Sequence, residues 1–275
     1  RRGPGFARFP GRDRRPQDPG DLPAMKRAAF DEMRALEDSH WWFRARRDAI
    51  AAHVDRALTR SQADIVLDVG CGTGANLVWL SRRAPSARLV GVEFDAHALE
   101  LARQRQLAAA LVAADATHLP FAAASAACVV CCDVLEHIED DAAACRELAR
   151  VLVPGGMLVA TVPACPSLWS LHDEAASHRR RYSRGELEQR LREAGFGIEA
   201  SHGFNLASWP LVWAIRRWRW HSSSASERAA PTSDFRTLPA AINACLVGWL
   251  ALESALLRTT GIRAGVSLVI RARRV

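Results

Sequence analysis

Ile65-Val66-Leu67-Asp68-Val69-Gly70-Cys71-Gly72-Thr73-Gly74-Ala75 decides how this chain is read. It opens as a short apolar run rich in β-branched residues, the pattern of a buried parallel strand. Three glycines at alternate positions follow, and then a helix-compatible run from Ala75 to Leu80. A strand, a glycine turn and a helix N-terminus form a ready anion and nucleotide site. Glycine lets backbone N–H groups approach a ligand closely, and the helix end offers unpaired donors and a partial positive charge. A tight β–α turn without a ligand is the plainer alternative, and three glycines framed in this way argue against it.

Gly70, Gly72 and Ala75 also satisfy Gly-x-Gly-x-x-Ala, the dinucleotide fingerprint. Asp68 separates the two nucleotide readings. A carboxylate two residues before the first glycine faces a pyrophosphate unfavourably. It suits a cationic ligand that carries an amino group and a sulfonium, which favours S-adenosylmethionine over NAD.

The chain has 275 residues, 49% of them apolar, enough for one large domain with additions. Its formal charge is +7, but six arginines and three aspartates in residues 1–24 account for +3 of that. The remainder is a weak basis for nucleic-acid binding, and no nucleic-acid partner is expected. Residues 1–24 are rich in Pro, Gly and Arg and read as disordered, with Met25 as the expected natural start. No apolar leader segment is read here. The seven cysteines lack the spacing of a secreted framework. Cys128, Cys131 and Cys132 read as small buried side chains of a central strand, not as a zinc site. A reducing, cytoplasmic location is the default expectation.

Residues 25–60 read as a helical cap: two helices around the hinge His40-Trp41-Trp42-Phe43. Those aromatics could cap the sheet edge, or cover a ligand pocket with His40 or an arginine facing substrate. From residue 61 to 205 strand and helix alternate. Glu93 ends the second strand, twenty-three residues beyond Gly70, where an acid accepts from both ribose hydroxyls. Phe94 follows it. Asp95 caps a helix expected to reach Gln106. The third strand ends at Asp115, which could accept from an adenine amino group while the backbone N–H of Ala116 reads a ring nitrogen. Leu119-Pro120-Phe121 would wall the purine, and His118 reads as solvent-side. The fourth strand, Ala126 to Cys132, leads into Asp133-Val134-Leu135-Glu136-His137. His137 could act as a general base, although methyl transfer depends mainly on alignment.

Met157 to Val162 makes the fifth strand, after a stop at Pro154-Gly155-Gly156. Beyond it, His172, His178, Arg181 and Tyr182 border the same crevice. They suggest contact with an anionic or hydroxyl-bearing acceptor, against a plain reading as a solvated basic loop. Ser183 and Glu186 form a capping box for a helix stopped by Gly195. The sixth strand is Gly197 to Phe204. Residues 206–262 insert two apolar helices, Leu206 to Trp220 and Leu238 to Leu257, around the linker Ser222 to Ser226. In the second, Leu238 to Leu252 is apolar, but Asn243 and Glu253 bracket a stretch too short for a confident membrane span, which needs about 20 residues. Its Trp/Arg-rich companion suits a membrane interface, with packing on the domain or in a homodimer as the duller option. Residues 263–275 supply the last strand, Val266 to Ile270, and a basic tail.

The motifs Asp68-Val69-Gly70-Cys71-Gly72-Thr73-Gly74, Glu93, Asp115 before Leu119-Pro120-Phe121, Asp133-Val134-Leu135-Glu136-His137 and Leu152-Val153-Pro154-Gly155-Gly156 occur in the order of class I S-adenosylmethionine-dependent methyltransferases. The chain resembles most the bacterial type 11 group, which is similar to quinone-biosynthesis methyltransferases. The resemblance covers roughly Ile65 to Phe204. It implies an α/β, Rossmann-like, doubly wound sheet of seven strands in the order 3-2-1-4-5-7-6, with strand seven antiparallel. It implies S-adenosylmethionine as cofactor: Asp68, Gly70, Cys71, Gly72 and Gly74 beneath the methionine moiety, Glu93 and Phe94 at the ribose, Asp115 and Ala116 at adenine, and Asp133 beside them. A small, lipid-like methyl acceptor is expected, with His40 and Trp41 among the residues that could face it. An NAD-dependent reductase, or a cofactor-binding protein without turnover, is the alternative.

Overall fold

Ala126 to Cys132 is an unbroken run of small and apolar residues, and it forms the centre of the molecule. A computed structural model describes residues 24–59, 64–222, 237–260 and 264–275; the stretch before Ala24 and most of the Ser222–Ser226 linker, both read above from composition, lie outside the described residues. Seven strands build one sheet: β1 (Ile65–Val69), β2 (Arg88–Glu93), β3 (Ala110–Ala113), β4 (Ala126–Cys132), β5 (Leu152–Pro163), β6 (Phe196–Phe204) and β7 (Ser267–Arg274). Their order is β3-β2-β1-β4-β5-β7-β6. The first five run parallel, and β7 is antiparallel to both β5 and β6. This is the architecture that the motif order implies. The strand order reverses between β1 and β4, so their carboxyl ends diverge into a crevice, the place where doubly wound sheets take ligands.

Every residue of β4 is buried, because helices cover both faces. Val129 and Cys131 face one core, with α5 (Asp141–Val151) and α7 (Arg184–Glu193) above it. Cys128, Val130 and Cys132 face the other, covered by α2 (Trp41–Leu58) and α3 (Ala75–Arg83). The caps follow the local chemistry. Asp95 accepts from the backbone N–H groups of His97 and Ala98 and starts α4 (Ala96–Arg103). Ser183 and Glu186 form the expected capping box of α7. The helix after Asp95 stops at Arg103, short of Gln106, because Gln106 takes a positive φ of 53°.

Two strands extend beyond their expected bounds. β5 begins at Leu152, directly after α5, with Pro154-Gly155-Gly156 absorbed into it. Gly155 takes φ +79°, and the β4–β5 register shifts between Ala126 and Cys128, so the strand bends without ending. Arg271, Arg273 and Arg274 are not a free tail: β7 runs through them. Glu199 on β6 pairs with two of them, with Oε2 3.3 Å from Arg271 Nε and Oε1 3.4 Å from Arg273 Nε, while Arg274 Nη1 donates to the Arg150 and Leu152 carbonyls. Arg271 Nη1 also lies 3.3 Å from His53 Nδ1. His53 Nε2 lies 2.8 Å from His202 Nε2, and His202 Nδ1 lies 2.9 Å from the Gly203 carbonyl.

Before the sheet come α1 (Ala24–Leu36) and α2, joined at the aromatic hinge. The insertion between β6 and β7 supplies α8 (Trp209–Ser222) and α9 (Ala240–Thr260), with the short α6 (Leu171–Ala175) after β5. Asn243 and Glu253, two polar residues of α9, are its anchors. Asn243 Oδ1 accepts from Trp41 N at 2.7 Å and its Nδ2 donates to the Ser39 carbonyl. Glu253 accepts from the backbone N–H groups of Leu206 and Ala207 at 2.8 and 2.7 Å.

Gly91, in the middle of β2, lets the glycine loop and α3 close on the sheet. A Cβ there would stand 2.6 Å from Leu77 Cδ1, 2.8 Å from Cys71 Sγ and 2.9 Å from Leu111 Cδ2. Gly91→Ala should therefore destabilise the fold by about 1–3 kcal/mol through overpacking. Urea unfolding measures this; an unchanged midpoint would mean that the loop does not rest on this strand.

Candidate active site

The glycine turn is fixed from below. The N–H groups of Gly70 and Cys71 both donate to the Val92 carbonyl at the end of β2, at 2.8 and 3.0 Å. Gly70 and Gly72 take φ of +73° and +53°. A Cβ on Gly70 would overlap the Val134 side chain, and one on Gly72 would stand 3.0 Å from Met33 Cε of α1. The turn thus has β4's loop on one side and the N-terminal cap on the other. Glu93 at the end of β2 turns back onto it. Its Oε2 accepts from Gly72 N at 2.9 Å, and its Oε1 accepts from Phe94 N and Asp95 N at 2.8 and 3.0 Å. Burial raises its pKa despite these three donors.

Asp68 lies beneath the turn, fully buried, and neither carboxylate oxygen has a donor in hydrogen-bond geometry. Burial pushes its pKa up to about 7, and Glu93 and Glu37 add to the rise; Arg46 and Asn76 oppose it. Arg46 comes from α2. Its Nη1 donates to Asp133 Oδ2 at 2.6 Å and its Nη2 to Asn76 Oδ1 at 3.2 Å. Asp133 also accepts from the Thr161 hydroxyl through Oδ1 at 3.0 Å. Burial works against the guanidinium charge, but Asp133, Cys132 and Asp68 around it keep Arg46 firmly protonated.

The cap closes over the turn. Glu37, just after α1, accepts from the Thr73 hydroxyl and from Arg105 Nη2 at 2.5 Å, while Arg105 Nε donates to the Thr73 carbonyl at 2.6 Å. Asp31 lies 2.8 Å from His97 on α4. Asp115 and Phe94 are exposed at the ends of β3 and β2, and Asp115 Oδ1 accepts from Thr117 N at 2.8 Å. Leu119, by contrast, is buried, and its N–H and carbonyl are tied to Glu147 and Arg150 of α5.

The aromatic hinge serves the core. His40 Nδ1 accepts from Trp42 N as the cap of α2, its ring lies against Trp41 and Phe43, and Trp42 packs against Phe204 of β6. Arg181 and Tyr182, expected at an acceptor, are buried and bonded within the protein. Arg181 Nε donates to Asp173 Oδ1 at 2.7 Å and its Nη1 to the Ala164 carbonyl at 2.6 Å. Tyr182 donates to Asp141 Oδ2 at 2.7 Å, and burial drives the phenol pKa far up. His137 and His172 are exposed or half-buried, and both stack near His178, at 4.9 and 6.2 Å between ring centroids. His178 Nδ1 lies 2.9 Å from Asp173 Oδ1. Burial opposes ionisation of Asp173, yet His178, Arg181 and Arg216 hold it well below the usual carboxylate range.

Arg46, Asn76, Glu37, Arg105 and Asp173 carry site geometry that the motifs do not flag. The signal for Arg46 is its place in a basic run on the first helix after the hinge. Asp173 and Arg105 give none, because their partners are distant in sequence. The residues fit a sulfonium nucleoside: Asp68 offers a fully buried carboxylate beneath the glycine turn, and Glu93 a second one beside it. Asp68 and the turn would hold the methionine end, and Glu93 the ribose.

The comparisons with known proteins agree. A family described as a methyltransferase domain matches residues 67–160. A Mycobacterium tuberculosis protein named as a probable S-adenosylmethionine-dependent methyltransferase is 28% identical over 74% of this chain and 79% of its own. A Deinococcus radiodurans demethylmenaquinone methyltransferase is 37% identical over 43% of this chain and 47% of its own. In fold, a solved S-adenosylmethionine-dependent methyltransferase of Mesorhizobium loti is similar with a TM-score of 0.54, at 18% identity, over 82% of this chain and 98% of that one. Residues 67–160 are similar to a methyltransferase domain, and with the glycine turn, the strand order and these relatives the chain is an enzyme that takes S-adenosylmethionine as its cofactor.

Proposed function

We propose that this methyltransferase acts on a small, lipid-like molecule drawn from a membrane surface. The observation that carries the reading is the insertion. On α8, Arg216 reaches the wall of the crevice: Nη1 donates to the Leu168 carbonyl at 3.2 Å and lies 3.8 Å from Asp173 Oδ2. The same helix exposes Leu211, Trp213, Ile215 and Trp218, and α9 exposes Ile242, Trp249, Leu252 and Leu256. The run Ala240–Leu257 is long and apolar enough to cross a membrane by length and composition, and only 17% of it is buried. Asn243 and Glu253 bind it to the hinge and to the end of β6, which suits a helix lying along a surface. Exposed tryptophans beside Arg217 suit the headgroup region of anionic lipid. A partial match to demethylmenaquinone methyltransferases, whose name denotes a quinone, points the same way.

When bound, S-adenosylmethionine supplies a methyl group on a positively charged sulfur. The chain's own residues bind, orient and exclude water. Glu93 would accept from the ribose hydroxyls, and its bonds to Gly72, Phe94 and Asp95 hold the carboxylate in place beforehand. Asp68 would oppose the cofactor's positive charge from a site without water, where the interaction is strong. The cap, through Met33 and Glu37, would keep the crevice dry. His137 would stand at the acceptor end, able to hold a proton. Asp68 argues against a nicotinamide dinucleotide, whose pyrophosphate would meet that carboxylate.

Three measurements test this. Asp68 should be largely protonated below pH 7, and only its ionised form attracts a cation. Affinity for S-adenosylmethionine should therefore rise with pH toward about 7, by up to about tenfold per unit, and then level off. Asp68→Asn should remove that slope in a calorimetric titration; a flat wild-type profile would exclude Asp68 from the contact. Second, incubation with methyl-labelled cofactor and bacterial extract should send label to the lipid-extractable small-molecule pool. Label confined to protein or nucleic acid would refute the acceptor class. Third, the protein should float with anionic vesicles at low salt, and Trp213→Glu with Trp218→Glu should abolish this; wild type left at the bottom of the gradient would end the membrane reading.

A further inference from the structure

We propose that Glu136, His137 and His178 form a site for a divalent first-row transition metal ion at the acceptor end of the crevice. Each offers one ligand atom, and the three atoms lie within 4.8 Å of one another. Glu136 and His137 are neighbours on the single 3-10 turn Leu135–His137 after β4, and His178 comes from the segment after α6. Two bonds lock these segments together: Arg179 N donates to the Glu136 carbonyl at 2.8 Å and Arg179 Nε to the His137 carbonyl at 3.1 Å.

The proton arrangement leaves a place for a cation. Asp173 is fully buried, and its Oδ1 lies 2.9 Å from His178 Nδ1. A carboxylate can only accept, so Nδ1 donates to Asp173 and Nε2 lies on the far side of the ring. That nitrogen faces Glu136 Oε1 at 4.0 Å, too far for a hydrogen bond. Glu136 is itself fully buried, and neither of its carboxylate oxygens has a hydrogen-bond partner. His178 Nε2 and the Glu136 carboxylate thus face one gap inside the protein, and a buried carboxylate without a hydrogen-bond partner is costly unless something positive lies beside it. Metal bonds of about 2.0–2.2 Å to nitrogen and oxygen span a gap of that size. A carboxylate behind a ligating histidine is the usual support of such a ligand, because it fixes the tautomer and raises the basicity of the ring.

Two imidazoles and one carboxylate suit Zn²⁺, Fe²⁺ or Co²⁺; Mg²⁺ prefers oxygen ligands and keeps its water. Three protein ligands leave a coordination position open, and His137 is exposed on the crevice side. Under the methyltransferase reading above, on which this one role rests, the open position would hold a hydroxyl oxygen of the acceptor. Ion binding itself does not depend on that reading.

The test uses tag-free, chelator-stripped full-length protein, dialysed against Zn²⁺ and analysed for metal, with Co²⁺ visible absorption as a second probe. Wild type should retain about one ion per chain. Glu136→Gln, His137→Ala and His178→Ala should each lose at least about tenfold in affinity, and Asp173→Asn about 10–100-fold. His118→Ala, an exposed histidine outside the cluster, should bind as wild type does. His137 is exposed, so its variant should fold normally, as circular dichroism would verify. Absence of uptake would overturn the site and assign the cluster to an imidazolium bridging Asp173 and Glu136. Uptake unchanged in His137→Ala and His178→Ala would also overturn it, as would a preference for Mg²⁺. S-adenosylmethionine binding measured on the same samples keeps a failure here separate from a failure of the methyltransferase reading.

Discussion

The buried guanidinium of Arg46 ties the cap to the sheet. It joins α2 to the end of β4 through Asp133 and to the start of α3 through Asn76, and it stands near the donor-free carboxylate of Asp68. A cation desolvated this far is stable only because two acceptors and a nearby negative charge surround it. The arrangement sets the cap's position relative to the glycine turn. It also leaves Asp68 under-compensated, since the guanidinium's hydrogen bonds go to Asp133 and Asn76. Ligand binding can then supply the charge that folding withholds.

The part of this architecture that is legible in the sequence is the part governed by neighbours along the chain. Ile65 to Ala75 announces a strand, turn and helix because each residue's backbone preference acts within a few positions. The capping box at Ser183 and Glu186 and the cap at Asp95 are local in the same way. The strand order came through a chain of motifs whose succession resembles a known family, not through periodicity. What was not legible depends on distant partners. Arg271, Arg273 and Arg274 look like a tail until Glu199 stands beside the first two and the Leu152 carbonyl takes the third. Arg181 and Tyr182 look like acceptor contacts until Asp173 and Asp141 turn them inward. Leu152 starts a strand before a Pro-Gly-Gly that reads as a stop, because β4 and β7 supply ladders on both sides.

The insertion illustrates the same division. Composition marks 206–262 as apolar and rich in tryptophan, yet its attachment rests on a few polar groups. Asn243 reads the backbone of the hinge and Glu253 that of the chain leaving β6, each spanning a long sequence gap. The isolated polar residues of an apolar helix are here its means of attachment, and the apolar residues between them are left largely to the surroundings.

The line from Arg271 through His53 and His202 to the Gly203 carbonyl has a directional consequence. A guanidinium only donates and a carbonyl only accepts, so both ends of the row are set. His202 must give its Nδ1 proton to Gly203, which leaves its Nε2 to receive one from His53 Nε2, whose Nδ1 in turn receives from Arg271. Each imidazole is therefore neutral and in one defined tautomer. One extra proton on either ring would set two donors against each other, where β6, β7 and the cap helix meet.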